Sequence, residues 1–456
     1  MLPVDLPGTV RDALLAPLVD HHCHGVRRDD LGRAGFELLI SGAGSPAPPG
    51  TTHFDTPLGV AVRRWCGPLL GLEPHAPPAV YLARREELGA GEVNRRLLAG
   101  AGVVAFLVDS ASQDGELLSA TEMGRHGGAA ADELVRVEHI ERDVAASAQL
   151  AVDYLDDLGE QLTARAARAV GLKTVAGALC GLDLEPSRPA RGAVIAAANR
   201  RLADPKPPLT DPVLLHYLVL SAVDVARERG LPLQFHCGLG SGPGNGFGSG
   251  PGYGPGSGFG SGFGSGFGSG FGSGLAGGYE SGLGGVLTGE PGGGLESWPG
   301  GGLGGGPSGG FSGGLGGPLG EPHRADPARL SAFAAALQPL GVPMILLHTY
   351  PFHRQAAYLA AAFPHVYVDV GLAPPHTAAA ARVIDELLEL APFHKQLFSS
   401  GACGLAETAY LGALTYRRAL SRALATRIDS GEWSTADAAR IAHMIGSGNA
   451  RRIYRL

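Results

Sequence analysis

The sequence predicts a closed (β/α)8, TIM-like barrel with two insertions. Three observations predict it. Eight short apolar runs alternate with amphipathic stretches of helical length, polar metal-capable side chains stand at the ends of several runs, and one abrupt change of composition falls between the fifth and sixth runs. Alternation alone fits an open doubly wound sheet equally well. The polar strand ends favour the barrel, whose functional groups gather at the C-terminal ends of its strands.

The eight strand candidates are PLVDHHCH (17–24), VVAFLVDS (103–110), LVRVEHI (134–140), AVGLKTV (169–175), PLQFHC (232–237), VPMILLH (342–348), VYVDVG (366–371) and KQLFSS (395–400). Each is short and rich in β-branched or apolar residues. Between the first and second, residues 28–100 read as a helical insertion. Among the helix candidates, 212–230 is the longest, with Asp211 as its N-cap and Pro212 in its first turn. ARVIDELLEL (381–390) shows the apolar spacing of an amphipathic helix.

Residues 238–320 are almost entirely Gly, Ser, Pro and Phe, and here Phe259, Phe263, Phe267 and Phe271 recur every fourth position. A helix uses that spacing, but glycine at this density costs about 1 kcal/mol per residue relative to alanine. The segment offers too little burial to repay its backbone entropy, so a disordered insertion is expected. Weak self-association of the Gly/aromatic repeat is the other reading. A tolerated insertion is preferred, because added loop length costs little free energy. The domain reading is therefore a barrel built from 1–237 and 321–456, interrupted by 238–320.

Composition narrows the function. The chain has 456 residues, 44% of them apolar, and a net charge of −7 without a basic stripe, which argues against nucleic acid as a partner. Five scattered cysteines, an odd number, argue against a disulfide framework and for a reducing, cytoplasmic setting. The start, MLPVDLPGTVRDALL, lacks a signal-peptide pattern, and no run of apolar residues is long enough to span a bilayer. A small-molecule substrate is expected, with no membrane partner, and a homo-oligomer stays open.

The chemistry begins in the first strand. On a regular strand His22 and His24 project to one side, about 7 Å apart, with Asp20 below them. Two such imidazoles can converge on one ion. His236 ends the fifth strand and His348 the sixth, shortly before His353. Single strand-end histidines are often structural, but this set together points to a metal site of His22, His24, His236 and His348. Lys173 lies in or just after the fourth strand and is a candidate for carboxylation or for holding a substrate carboxylate. Glu138 and Asp369 are further inward candidates, and Asp109 reads more as a rim carboxylate. Cys23 and Cys237 fall on the opposite strand face and read as packing residues.

The combination VDHHCHG, QFHCGLG, ILLHTYPFHRQAAYLAAAFPHVYVDVGL, LFSSGACGLAETAYLGA and GNARRIYRL resembles the amidohydrolase-related family. Within that family it is most similar to the branch found fused to glutamine-synthetase-like domains. The resemblance implies a (β/α)8 barrel, one or two divalent metals (zinc, with manganese as the other option), and hydrolysis of amide or related bonds. It implies His22 and His24 as first-strand ligands, His236 as the fifth-strand ligand and His348 as the sixth-strand histidine.

Two positions depart from the family pattern. Its eighth strand ends in a metal-binding, proton-shuttling aspartate within a Ser-Ser-Asp-Ala context, and here Gly401 follows Ser399 and Ser400. After the fourth-strand lysine, related sequences carry Tyr-Arg where this chain has Ala178 and Leu179. The first functional expectation is thus a metal-dependent hydrolase acting on C–N bonds, with His348, His353 and Asp369 as its candidate catalytic groups and Lys173 and Glu138 facing substrate. The alternatives are a catalytically impaired metal- or ligand-binding barrel, favoured by Gly401, and a lyase that decarboxylates an acid.

Overall fold

The structure, a computed structural model, describes residues 2–41, 45–109, 115–238, 322–371 and 380–456. Eight parallel strands form one sheet in sequence order: β1 (Leu18–His24), β2 (Val103–Asp109), β3 (Ala130–Arg136), β4 (Gly171–Thr174), β5 (Leu233–His236), β6 (Met344–Leu347), β7 (Val366–Asp369) and β8 (Gln396–Leu397). The chain after β8 returns to β1. His21 N–H donates to the Phe398 carbonyl at 3.2 Å, Gly401 N–H to that of His22 at 3.1 Å, and His24 N–H to that of Ala402 at 2.7 Å. The barrel predicted from the sequence is the one observed.

Strand alternation sorts the core into two layers. Val19, Leu107, Leu134, Ile345, Leu347 and Leu397 pack together inside the barrel. Their neighbours Phe106, Val108, Val135, Leu172, Phe235, Leu346 and Val368 face the helices. By the same alternation Asp109, Arg136, Lys173, Gln234, His236 and Asp369 point inward. All six are buried, so the interior is polar towards one end.

The helices surround this sheet. α1 (Gly8–Leu15) precedes β1, and α2 (Arg33–Leu39), α3 (Pro57–Ala61) and α4 (Pro78–Gly100) form the insertion expected before β2. α5 (Ala120–Gly127) leads into β3, and α6 (Val137–Ser147) and α7 (Ala151–Ala166) lead into β4. α8 (Ala176–Leu179), α9 (Arg191–Ala203) and α10 (Pro212–Arg229) lead into β5. α11 (Ser331–Leu337), α12 (His353–Ala362) and α13 (Ala380–Leu390) precede β6, β7 and β8 in turn. After β8 come α14 (Ala406–Asp429), α15 (Thr435–His443) and α16 (Asn449–Tyr454). Asp211 caps α10 as expected, its carboxylate accepting from the N–H groups of Val213 and Leu214. Among the described residues no helix is long and apolar enough to cross a membrane.

The third strand differs from the prediction. It covers Ala130–Arg136 rather than 134–140, and residues from Val137 onward are helical. Val137, Ile140, Glu141, Val144 and Ala145 are buried, a three- and four-residue spacing that belongs to one helix face. The apolar run read as strand is the start of that face. The eighth strand is regular only over Gln396–Leu397, short of the predicted 395–400.

The insertion expected at 238–320 lies outside the described residues except for Gly238. Its flanks are next to each other, since Gly238 N–H donates to the Ala325 carbonyl at 3.0 Å. A short Gly/Ser linker in place of 239–320 should therefore leave the barrel folded and raise its unfolding free energy by about 1–2 kcal/mol through the shorter loop. Thermal and denaturant unfolding of the shortened chain check this. A loss of stability, or insolubility, would mean that the segment packs against the barrel.

Candidate active site

An irregularity in β1 shapes the site. Its register against β2 shifts between Leu18 and Val19 and again between Asp20 and Cys23. Simple alternation breaks there. His21 reaches Asp369 and Tyr454, while His22 reaches Lys173 and His348. Asp20 does not lie below His22 and His24 as expected, because its carboxylate accepts from the Ser400 backbone N–H at 2.8 Å and hydroxyl at 2.5 Å. Burial pushes this carboxyl up to about 6, against the lowering effect of those bonds. Cys23 and Cys237 pack in the outer core, as predicted.

Four predicted histidines come together. The His22 ring centroid is 5.1 Å from that of His24 and 5.0 Å from that of His348, and His236 lies 5.3 Å from His348. His348 follows β6 with a positive φ of 53°, a conformation few residues other than glycine adopt. Gly238 makes room for this turn. A β-carbon at Gly238 would lie 2.2 Å from the His348 carbonyl oxygen and 2.5 Å from that of Tyr350, so only glycine fits beside it.

A charged network stands next to the imidazoles. Asp109, at the end of β2, accepts from Lys173 Nζ at 2.7 Å and from Arg136 Nε at 3.1 Å, and its Oδ2 lies 3.6 Å from His24 Nδ1. Lys173 Nζ is also 3.2 Å from His22 Nε2. Burial would raise the Asp109 carboxyl, but Arg136 and Lys173 hold it well below the usual range. Burial lowers the Lys173 ammonium to about 8 despite Asp109. Burial, reinforced by Lys173, also holds His22, His24 and His236 well below the ordinary imidazole value. His348 is lowered by burial too, with Asp369 opposing. These four rings are therefore uncharged at neutral pH, the form in which imidazole binds metals.

Beneath the histidines Asp369 acts as a hub. It accepts from Ser399 Oγ at 2.9 and 3.0 Å, from Gly371 N–H at 2.7 Å and from His348 N–H at 3.3 Å. Its two oxygens also face His21 Nε2 at 3.4 Å and His348 Nδ1 at 3.5 Å. Burial would raise this carboxyl, but the histidine contacts hold it low.

The other expected residues lie further out. Glu138 belongs to the first turn of α6, where it accepts from Thr174 Oγ1 at 2.5 Å and Val175 N–H at 2.8 Å. Burial raises its carboxyl in spite of those bonds. His353 opens α12, with Nε2 at 2.9 Å from Glu386 Oε2 on α13 and its ring stacked on Tyr350. Ala178 and Leu179 fall in α8. Gly401 donates its N–H to the His22 carbonyl and has φ 59°. Arg136, His21, Gln234, Ser399 and Tyr454 were not assigned from the sequence. Arg136 was hidden by the misplaced third strand, although a lone arginine ending a strand was its signal. His21 was hidden by assuming strict alternation through the three histidines of VDHHCH.

The donor set suits a divalent cation by type and depth. Asp109 Oδ1 is a buried acceptor with no hydrogen-bond partner among the described residues. His22 Nε2 and Asp109 Oδ2 already converge on a positive charge, the Lys173 ammonium. In the positions observed, no three His, Cys, Asp or Glu side chains among the described residues meet closely enough to hold one ion.

The comparisons agree at the level of the fold. No known family profile matches the chain. The structure is similar to a protein from Lactobacillus casei ATCC 334 assigned as a metal-dependent hydrolase, with a TM-score of 0.71, 17% identity, and coverage of 99% of this chain and 98% of that one. It is also similar to a uronate isomerase from Thermotoga maritima, with a TM-score of 0.55, 12% identity, and coverage of 98% and 97%. A glucuronate isomerase from Caulobacter crescentus gives a TM-score of 0.56 at 12% identity, covering 100% of this chain and 95% of that one. Protein fluG of Emericella nidulans is 32% identical over 136 residues, a match spanning 29% of this chain but 16% of that protein's length.

Proposed function

We propose that this chain, a barrel of the amidohydrolase-superfamily fold, is a metal-dependent hydrolase acting on amide or related C–N bonds of a small molecule. The observation that carries the reading is the meeting of four buried imidazoles from β1, β5 and the end of β6. The fold shared with a metal-dependent hydrolase supports it. His22, His24, His236 and His348 would hold the ion, zinc or manganese. When bound, such an ion supplies an acidified water and a Lewis acid for a carbonyl oxygen.

The chain's own groups divide the remaining work. Asp369 orients His348 from below, and Asp109 holds Lys173 and Arg136 as two positive charges beside the imidazoles. Those cations favour a substrate with a carboxylate or a developing oxyanion. Glu138 braces the start of the chain after β4. His353 is occupied by Glu386, so of the proposed proton-transfer groups Asp369 stands nearest the histidines. Five unpaired cysteines support a reducing, cytoplasmic setting.

Gly401 favours a second reading, a barrel that binds metal or ligand with impaired catalysis, because no side chain stands where the family places its proton carrier. Elemental analysis of purified protein, followed by a panel of amides and γ-glutamyl amines, separates the readings. Bound divalent metal and hydrolysis are expected, with metal lost in His22→Ala and His236→Ala. Metal without turnover would favour the impaired binder, and release of carbon dioxide from an acid would favour a lyase. Absence of metal after incubation with zinc or manganese would end the metal reading.

A further inference from the structure

A π-helical turn in the insertion after β1, Val62–Cys66, packs against α14. Val62 and Cys66 are buried at its ends, and Trp65 is half-buried. The indole carries two guanidiniums. Arg64 Cζ lies 4.7 Å from its ring centroid, and Arg418 Cζ, from α14, lies 4.6 Å from it. Arg422 follows Arg418 by one helical turn, a spacing at which like charges on a helix repel. Neither Arg64 nor Arg422 forms an ion pair among the described residues.

Over a ring, a guanidinium gives its face to the π-system and keeps its in-plane N–H donors for oxygen acceptors. The indole thus holds both groups in place, and little freedom is lost when an anion arrives. Repulsion opposes the gathering. Burial first, and then the charges of Arg422 and Arg64, lower the Arg418 guanidinium. In the same turn Arg63 has a buried Nε with no hydrogen-bond partner among the described residues. Shielding the indole explains Arg64 and Arg418, but not the third cation one turn along α14. An anion accounts for all three, because it relieves their repulsion and accepts from their N–H groups.

We propose that Arg64, Arg418 and Arg422 form an anion site, separate from the histidine cluster, for a small molecule bearing two or more phosphate or carboxylate groups. The site does not depend on the metal-binding reading, and its test does not use catalysis. Fructose bisphosphate and tricarballylate, titrated calorimetrically into the whole chain at fixed ionic strength, probe the two chemistries. Saturable binding of at least one is expected. Binding of the bisphosphate alone marks a phosphate ligand, and of tricarballylate alone a polycarboxylate. Affinity should fall about tenfold or more in Arg418→Gln, the loss of one hydrogen bond between charged groups. Arg422 is exposed, so Arg422→Gln gives the same reading should the first variant fail to fold. Failure of both anions to bind overturns the proposal. So does parental affinity in the folded variants, which would place the anion elsewhere.

Discussion

Gly401→Asp is expected to raise amide hydrolysis about 10²–10⁴-fold over the parent, the range a positioned general acid–base group contributes. The residue lies directly after the closing chain of the barrel, with its N–H on the carbonyl of His22. A carboxylate at this position would stand beside the histidines, able to accept a proton from a bound water and return it to a leaving nitrogen. The backbone works against the substitution. With φ 59° the position is left-handed, and a side chain there costs roughly 1–2 kcal/mol, although aspartate tolerates it better than most residues. That cost falls on stability, so thermal unfolding of the variant belongs beside the rate measurement. A folded, metal-loaded variant no faster than its parent would show that Gly401 is not the missing element. Asp369 would then be the next group to replace.

Arg85→Met is expected to cost about 3–5 kcal/mol of stability, the range seen when one partner of a buried ion pair is removed. Arg85 Nε donates to Glu407 Oε1 at 2.7 Å, and Tyr81 donates to the same oxygen at 2.9 Å. Glu407 is fully buried in the first turn of α14, while Arg85 and Tyr81 belong to α4. The Arg85 guanidinium also lies 4.8 Å from the Phe36 ring centroid, so methionine keeps some of its packing but none of its charge. The pair fastens the helical insertion after β1 to the helix after β8. Denaturant unfolding of Arg85→Met, Glu407→Gln and the double variant measures the coupling. The double variant should recover part of the loss, because it leaves no charge buried alone. A single-variant loss below about 1 kcal/mol would mean that Tyr81 or water satisfies Glu407 unaided.

The barrel was legible because its signals are local and repeated. Each strand is a short apolar run, and Asp211-Pro212 or the ARVIDELLEL pattern marks a helix without tertiary help. The four histidines were legible for a related reason, since a strand end projects its last inward residue into the mouth of a barrel. What sequence could not show depends on register. The slip in β1 brings His21 against Asp369, and no composition reveals a slip. Arg136 was missed because the apolar face of α6 continues the apolar pattern of β3 without a break. Tyr454 lies over 200 positions from Gln234, which it meets, so only the closed barrel brings them together.

The meeting of Gly238 and Ala325 also bears on how the barrel assembles. Residues 237–343 separate β5 from β6, about four times the separation there would be without 238–320. In a flexible chain that ratio adds roughly 1 kcal/mol to the entropy cost of closing the gap. Four paired positions from Leu233↔Met344 to His236↔Leu347 offset that cost once they form. The extra burden remains with the finished sheet as a small loss of stability, and it also slows the encounter of the two strands. In kinetic terms the barrel has a seam: β1–β5 can join through shorter connections, while β6–β8 must find them across the widest gap between successive strands. His236 and His348 face each other across that seam, so half of the histidine set depends on its closing.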